Sequence, residues 1–234
     1  MPELTQEHRR AICFREAARA VIHALGGAQV YRVAVAPTGS TSWRYQPRKG
    51  RDVVDVLGVC EASDVPSVTM HVQWDAAAER FVGDREGFER LAEQARNVVV
   101  KGQPPVSQSE NLEAWRRLVR AHVCSKLAGS VAASIYPQGA LAVEAAKAEF
   151  KHDQDVADGL SQLLTPGELE HLMRMTDEAL RTPSVWGRVT ALAEALERDG
   201  DIADQLYDYL PEPLKGWPAG PSAAHEVASV SEEA

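Results

Sequence analysis

The sequence lacks the signatures of several protein classes. It contains no run of about 18 apolar residues, so no transmembrane helix is predicted. Its cysteines, Cys13, Cys60 and Cys124, are widely separated and form no Cys-x-x-Cys pair, which argues against a thiolate zinc site. Neither a Gly-Lys-Ser/Thr phosphate-binding loop nor a Gly-x-Ser-x-Gly nucleophile turn occurs. The charged residues 2–10 predict no secretory signal, so the expected compartment is the cytoplasm.

Excess positive charge is also missing. The 234 residues include 25 Lys and Arg against 34 Asp and Glu, a formal net charge of -9. So acidic a chain has little basic surface for phosphates, and neither nucleic acid nor a membrane is an expected partner. One basic cluster stands in a stretch that contains Gly and Pro, and it is interpreted as a solvated loop. Its members are Arg44, Arg48, Lys49 and Arg51.

The first hundred residues predict a helix followed by a small sheet. Thr5 is a candidate cap for a helix over residues 5–25, and a Gly-Gly pair follows that helix. Short β-branched segments predict three strands with helices on one face. The strands are expected at residues 29–36, 53–60 and 67–74. Two helices are expected next, at residues 75–82 and 85–98.

The second half of the chain is predicted to be helical. Ser107 and Glu110 match a capping box for a helix that reaches residue 135. Thr165 and Thr182, each followed by proline, mark two further helix starts. Three more helices are expected, one that ends at residue 150 and two at residues 152–164 and 202–210.

These elements define an α+β fold class that is mostly helical. A small three-stranded sheet, packed by the first helix, occupies residues 1–100, and a helical bundle occupies residues 106–210. Both parts are assigned to one domain of residues 1–214. The tail at residues 215–234 is rich in Gly, Pro, Ser, Ala and Glu and is expected to be disordered.

A motif in the first helix resembles a known metal-binding frame. Residues 15–19 read Arg-Glu-Ala-Ala-Arg, after Phe14 and before Ala-Val, a glycine turn and a short strand. The segment resembles the helix of FtsH-type (M41) zinc peptidases, where an aromatic residue precedes His-Glu-Ala-Gly-His-Ala-Val. Histidines four residues apart bind one zinc, and the glutamate polarises the zinc-bound water. On this resemblance Glu16 stands at the general-base position, and Arg15 and Arg19 stand at the histidine positions.

Two downstream segments are similar to the same family. Residues 127–133, Leu-Ala-Gly-Ser-Val-Ala-Ala, resemble its small-residue helix, which ends in an acid where this chain has Ala133. The family's third zinc ligand is an Asp followed four residues later by Ala, which matches Asp153, with Asp155 as the alternative. The resemblance spans roughly residues 5–205 and implies a zincin-like fold.

The same residues argue against a zinc site. Arginine stays protonated in proteins and has no lone pair to offer a metal. His8 and His23 lie about 22 Å apart along a straight helix, so one ion does not reach both. No metal or other cofactor is therefore expected, and Glu16 is interpreted as a vestigial, inactive general base.

An ion pair is predicted in place of the metal. We expect Arg15 or Arg19 to pair with Asp153 or Asp155, and Glu16 to take the other arginine. The alternative places the two arginines and Glu16 on a solvated helix face. In that case both aspartates are first-turn residues that the helix dipole favours.

Three functional interpretations follow. The first is a catalytically inactive homologue of the FtsH-type peptidase domain, a binding or regulatory module without zinc or ATPase activity. Its expected partner is a peptide or protein, held by strand addition beside the degenerate cleft. The second is an active, ATP-independent metalloendopeptidase with relocated metal ligands. The third is a structural helical protein unrelated to peptidases.

Overall fold

The computed structural model describes most of the chain. It covers residues 3–41, 43–47, 53–54, 56–63, 71–99, 106–136 and 140–221. At residues 53–54 and 140–149 it describes the backbone alone. The fold is α+β and mostly helical, as predicted. Arg48, Lys49 and Arg51 of the basic cluster, residues 67–70 of the predicted third strand, and residues 222–234 of the predicted tail lie outside the described residues.

Helices and strands are numbered here in chain order over the described residues. The helices are α1 Gln6–Leu25, α2 Arg85–Arg96, α3 Gln108–Ile135, α4 Ala140–Ser161, α5 Glu168–Arg181, α6 Pro183–Asp199 and α7 Leu206–Tyr209. The strands are β1 Val30–Val35, β2 Arg44–Tyr45, β3 Val53–Val54, β4 Gly58–Ala62, β5 Val72–Asp75, β6 Arg80–Gly83 and β7 Asp201–Ile202. No helix in the described part of the chain is long and apolar enough to cross a bilayer.

Local capping chemistry explains several helix starts. The Thr5 hydroxyl accepts a hydrogen bond from the amide of His8 at 3.2 Å, which caps α1. Ser107 and Glu110 form the predicted capping box at the start of α3. Pro183 occupies the first turn of α6, also as predicted. These three predictions are confirmed because each depends only on neighbours in sequence.

The three-stranded sheet has the order β4-β1-β7 and is antiparallel. Val33 at its centre lies opposite Cys60 on one side and opposite Ile202 on the other. The first two predicted strands are represented by β1 and β4, although the segment at 53–60 is divided between β3 and β4. The third predicted strand is confirmed at Val72 to Trp74, which belong to β5, but β5 lies in a separate two-stranded sheet and β7 from the far end of the chain takes its expected place.

One predicted helix and one predicted break are wrong, and a second predicted helix is shorter than expected. Residues 75–82 were expected to be helical, but β5 and β6 form an antiparallel hairpin there. The Asp75 carboxylate caps its turn by accepting hydrogen bonds from the amides of Ala77 and Ala78. Residues 202–210 contain β7 and only the short α7. The two helices expected around residue 151 are one continuous helix, α4.

The start of α5 is later than predicted, and the packed chain extends further. Gly167 has a φ of 83° and caps α5, so the helix begins at Glu168 rather than directly after Thr165. Beyond residue 214, Trp217 is buried in the core. The described residues 215–221 therefore belong to the fold, whereas the sequence assigned them to the tail.

Helix α1 runs through the centre of the fold. It packs against α3, α4 and α6, and also against β1 and β4. Its residues from Ile12 to Ala18 are all buried, polar side chains included. A helix surrounded on every side has no solvated face, and this arrangement places its polar residues inside the protein.

Candidate functional site

The polar face of α1 is enclosed. Arg15 is buried and Glu16 is fully buried, because α3, α4 and β4 cover this side of the helix. The alternative of a solvated face for Arg15 and Glu16, with Glu16 as a surface acid, is therefore wrong. A single amphipathic pattern does not reveal a second layer of helices that covers the polar side.

Arg15 bonds to the predicted aspartate on α4. Its Nη2 donates to Asp153 Oδ2 at 2.7 Å, and both side chains are buried. The alternative aspartate, Asp155, instead accepts a hydrogen bond from the exposed Lys151 on the same helix, also at 2.7 Å. The predicted link between the first helix and this acid is confirmed for Asp153 and is wrong for Asp155.

Glu16 takes the other arginine. Arg19 Nη1 donates to both carboxylate oxygens of Glu16, at 3.2 and 3.1 Å, as the sequence predicted. Arg15 Nη1 lies 3.4 Å from Glu16 Oε1, and Arg19 Nη1 lies 3.9 Å from Asp153 Oδ2. The two arginines and the two acids therefore form one connected group.

A third cation was missed in the sequence. Lys126 on α3 places its Nζ 3.4 Å from Asp153 Oδ1. It directly precedes the small-residue segment at 127–133, which was its only signal in the sequence. Arg15, Glu16, Arg19, Lys126 and Asp153 are called the ionic centre below.

The charges of the ionic centre stabilise one another. Burial alone would raise the pKa of Asp153, but Arg19, Lys126 and Arg15 outweigh it and hold that pKa well below its usual range. Burial lowers the pKa of Lys126, and Arg19 adds to this effect. For Arg19, the carboxylates of Glu16 and Asp153 overcome burial and raise the pKa. Asp153 and Arg19 are thus held in their charged forms.

Two glycines make room for the ionic centre. A Cβ added at Gly129 on α3 would lie 2.8 Å from Arg15 Cγ. A Cβ added at Gly58 on β4 would lie 2.7 Å from Glu16 Cγ. Both distances are shorter than real Cβ contacts, so neither position accepts a side chain without movement. The small-residue segment on α3 has a structural reason, since it lets Arg15 lie against that helix.

The neighbours of the ionic centre are neutral. The rings of His23 and His122 lie 5.8 Å apart between α1 and α3. Burial lowers the pKa of His122 to about 3 and lowers that of His23 well below its usual value, and Arg19 and Lys126 contribute to both shifts. Burial also raises the pKa of the Cys60 thiol to about 12. Cys60 is therefore a poor nucleophile, and neither imidazole carries charge near neutral pH.

The donor set does not fit zinc. A zincin site needs three lone-pair donors around an open position. Here two of the three equivalent positions carry guanidinium groups, and the third, Asp153, is held by Arg15 and Lys126. Nowhere in the described ranges do three or more His, Cys, Asp or Glu side chains come together in a group able to hold a metal ion.

Comparisons with known proteins give no relative for this chain. No protein-family model, no curated protein and no solved structure matches it. A functional hypothesis therefore depends on the sequence motifs and on the geometry of the ionic centre.

Proposed function

We propose that this chain is a catalytically inactive module with a zincin-like frame, which binds a peptide or protein segment without zinc and without ATPase activity. One observation supports the proposal above all others. The three positions that the FtsH-type resemblance assigns to zinc ligands meet at one point: Asp153 Oδ2 lies 2.7 Å from Arg15 and 3.9 Å from Arg19. Asp153 is 138 residues away from Arg15, so sequence proximity does not explain the meeting.

The state of Glu16 supports the absence of catalysis. A general base must reach a water or substrate proton at hydrogen-bond distance. Glu16 is fully buried, and both of its oxygens accept hydrogen bonds from Arg19. An acid that is buried in this way is not in contact with solvent, where a water or substrate would approach.

The sheet beside the ionic centre offers a way to hold a peptide. Strand β4 pairs with β1 along one edge, and no strand among the described residues pairs with its other edge. Gly58 at the start of β4 lies directly against Glu16. An extended segment that adds to this edge would gain backbone hydrogen bonds next to the ionic centre.

Metal analysis and a protease assay test the proposal against the active-enzyme alternative. The purified chain is analysed for zinc by mass spectrometry and incubated with casein, with and without a chelator. We expect substoichiometric zinc and no chelator-sensitive cleavage. Stoichiometric zinc together with chelator-sensitive cleavage would instead establish a metalloendopeptidase with relocated ligands.

Restoring the histidines tests the zincin-like frame itself. Arg15→His combined with Arg19→His would leave two imidazoles four residues apart and facing Asp153, a three-ligand set for zinc. We expect stoichiometric zinc binding, measured by titration against a chromogenic chelator. The matched control is Arg90→His with Gln94→His, which has the same spacing on the exposed side of α2, combined with Glu86→Gln to remove the carboxylate that contacts Arg90.

Equal zinc affinity in the histidine variant and in its control would contradict the proposal that residues 15, 19 and 153 form a zincin-like ligand arrangement. A histidine pair alone supplies two ligands, so only the third ligand at Asp153 distinguishes the variants. In that case the interpretation as a structural helical protein unrelated to peptidases would replace the proposed function.

A further inference from the structure

A cavity lies between α2, α3 and the turn that joins α4 to α5, and it is called the α2 cavity below. Its volume is about 290 Å³. One face of α2 forms a wall, since Arg85, Phe88, Glu89 and Ala92 all line the cavity and recur at helical spacing. The volume is at the lower end of the range for ligand cavities, which suits a ligand of amino-acid size.

The floor of the α2 cavity is apolar. Phe88, Leu163 and Leu164 line it and are almost completely buried. The ring of Phe88 also packs against the ring of Trp115 on α3, with their centroids 4.6 Å apart, so the floor is fixed in the core. An apolar group that entered the cavity would leave water for a preformed apolar surface, which favours binding.

Two of the charged side chains that line the α2 cavity are engaged within the protein. Arg85 Nη2 donates a hydrogen bond to the carbonyl oxygen of Leu164 at 3.1 Å. Glu168 is buried and accepts a hydrogen bond from Arg120 Nε at 2.7 Å. Arg85 and Glu168 therefore hold the walls of the cavity together.

The other two charged side chains of the lining carry opposite charges and are available to a ligand. Glu89 on α2 and Arg116 on α3 are both exposed. Neither side chain forms a hydrogen bond or an ion pair with another residue in the part of the chain that the structure describes. A carboxylate and a guanidinium thus border one apolar cavity, and each is able to bind a group of the opposite charge.

We propose that the α2 cavity binds an apolar α-amino acid. The carboxylate of this ligand accepts hydrogen bonds from Arg116, its ammonium group donates to Glu89, and its apolar side chain lies on Phe88. A simple anion would be repelled by Glu89 and a simple cation by Arg116, whereas a zwitterion is attracted by both. The inference goes beyond the proposed function and is independent of it, because no residue of the ionic centre or of β4 takes part.

Leucine and three related compounds test the contacts of the ligand separately. Isothermal titration calorimetry of the full chain measures the binding of L-leucine, N-acetyl-leucine, leucinamide and glycine. We expect saturable binding of leucine. The dissociation constant of each other compound should be about tenfold higher, because each lacks one charged hydrogen bond or the apolar side chain. Equal affinity for leucine and glycine would overturn the site, since its apolar floor would then contribute nothing.

Two variants at exposed positions assign the charged contacts. Arg116→Met should raise the dissociation constant of leucine about tenfold and abolish the preference for leucine over leucinamide. Glu89→Gln should abolish the preference for leucine over N-acetyl-leucine in the same way. The matched controls, Arg181→Met and Glu178→Gln, remove exposed charges on α5 and should bind leucine like the wild type. Glu178 lies about 15 Å along α5 from Glu168, the residue of that helix that lines the cavity.

A variant that fills the α2 cavity tests the site without a change of charge. Ala92→Phe places a ring in the wall and should abolish leucine binding, while circular dichroism confirms that the chain is folded. Leucine binding that persists in this variant, or that the control variants weaken equally, would overturn the site. The absence of saturable binding by leucine and by phenylalanine would also overturn it. Each of these outcomes leaves the proposed function in place, since metal analysis and the protease assay test that function separately.

Discussion

Two buried ion clusters include side chains from α3, and they differ in whether their acidic side chains are buried or exposed. The ionic centre has three cations over two enclosed carboxylates. The second cluster has one cation, Arg120, whose Nε donates to the buried Glu168 at 2.7 Å and whose Nη1 donates to Glu113 at 2.8 Å. Glu113 is half-exposed, so water solvates the excess acid of this pair. Both acids of the ionic centre are buried, whereas the second cluster has one acid that reaches water.

Further contacts fix the second cluster in place. Glu168 also accepts a hydrogen bond from the amide of Thr165, which fixes the turn before α5. Gly220 lies so close to Arg120 that an added Cβ would meet its Nη2 at 2.7 Å. Arg120 and Glu168 therefore join α3 to α5.

Loss of the central acid should have the largest effect. Asp153→Ala removes the buried acid that contacts Arg15, Arg19 and Lys126, so we expect a loss of about 3–5 kcal/mol in the free energy of unfolding. Glu168→Ala should cost less, about 2 kcal/mol, because Arg120 keeps its ion pair with the half-exposed Glu113. Urea denaturation of both variants measures the difference. Equal losses would show that the two clusters are energetically alike.

Acid should destabilise the ionic centre across a wide range of pH. His23 and His122 have lowered pKa values in the folded state, so the unfolded chain binds their protons first. Stability is expected to fall below about pH 6.5, by roughly 1 kcal/mol per pH unit for each histidine. For His122 the fall continues to about pH 3. The lowered pKa of Asp153 acts in the same direction below its usual value of about 4.

Replacing a single histidine tests whether the buried histidines cause the loss of stability in acid. His122→Gln should flatten the fall in unfolding free energy between pH 6.5 and 4, measured by urea denaturation at each pH. His171→Gln changes a histidine on α5 outside the ionic centre, where its ring contacts Ala219 O, and should leave the slope unchanged. A wild-type slope in His122→Gln would assign the acid sensitivity to other groups.

The same comparison shows what the sequence could and could not predict. The Arg15–Asp153 link was predicted from the resemblance of two sequence segments to one metal-binding motif, which implies that these positions face each other across the fold. The contact of Lys126 with Asp153 was not predicted, because it depends on how α3 is rotated against α1. A local sequence pattern does not determine that rotation. The burial of Glu16 was missed for the same reason, since α3 and α4 cover a face that is polar in sequence.

Helices and strands were predicted correctly where residues close in sequence determine the structure. The predictions were wrong where a partner distant in sequence determines it. The capping box at Ser107 and the proline start at Pro183 were found because neighbours in sequence supply their hydrogen bonds and backbone angles. Strand β7 has only two residues and exists because β1, far away in sequence, pairs with it. The hairpin of β5 and β6 was mistaken for a helix because its turn residues, Ala76 to Ala78, are good helix formers.

Removing both partners of the central link should restore part of the lost stability. Arg15→Met with Asp153→Leu leaves Arg19 and Lys126 with Glu16 and fills the space with apolar atoms. Compared with Asp153→Ala, we expect a recovery of about 2 kcal/mol in the free energy of unfolding. Arg19→Met with Asp153→Leu is the matched control and should recover less, because Arg19 bonds mainly to Glu16. Equal recovery would mean that Asp153 does not distinguish the two arginines.

The smallest expected effect concerns the glycine that accommodates Arg15. Gly129→Ala should destabilise the fold by about 1–3 kcal/mol, because the new Cβ overlaps Arg15 Cγ and displaces its guanidinium from Asp153. Gly187→Ala on α6 is the control, since nothing lies within 4 Å of its added Cβ. Without a clash, the better helix propensity of alanine should stabilise the chain by about 0.5–1 kcal/mol. If thermal or urea unfolding shows destabilisation by Gly129→Ala and stabilisation by Gly187→Ala, the loss at Gly129 is due to the clash with Arg15, because the gain in helix propensity is the same at both sites. Stabilisation by both substitutions would show that α3 can move away from α1 without loss, and that the ionic centre tolerates that movement.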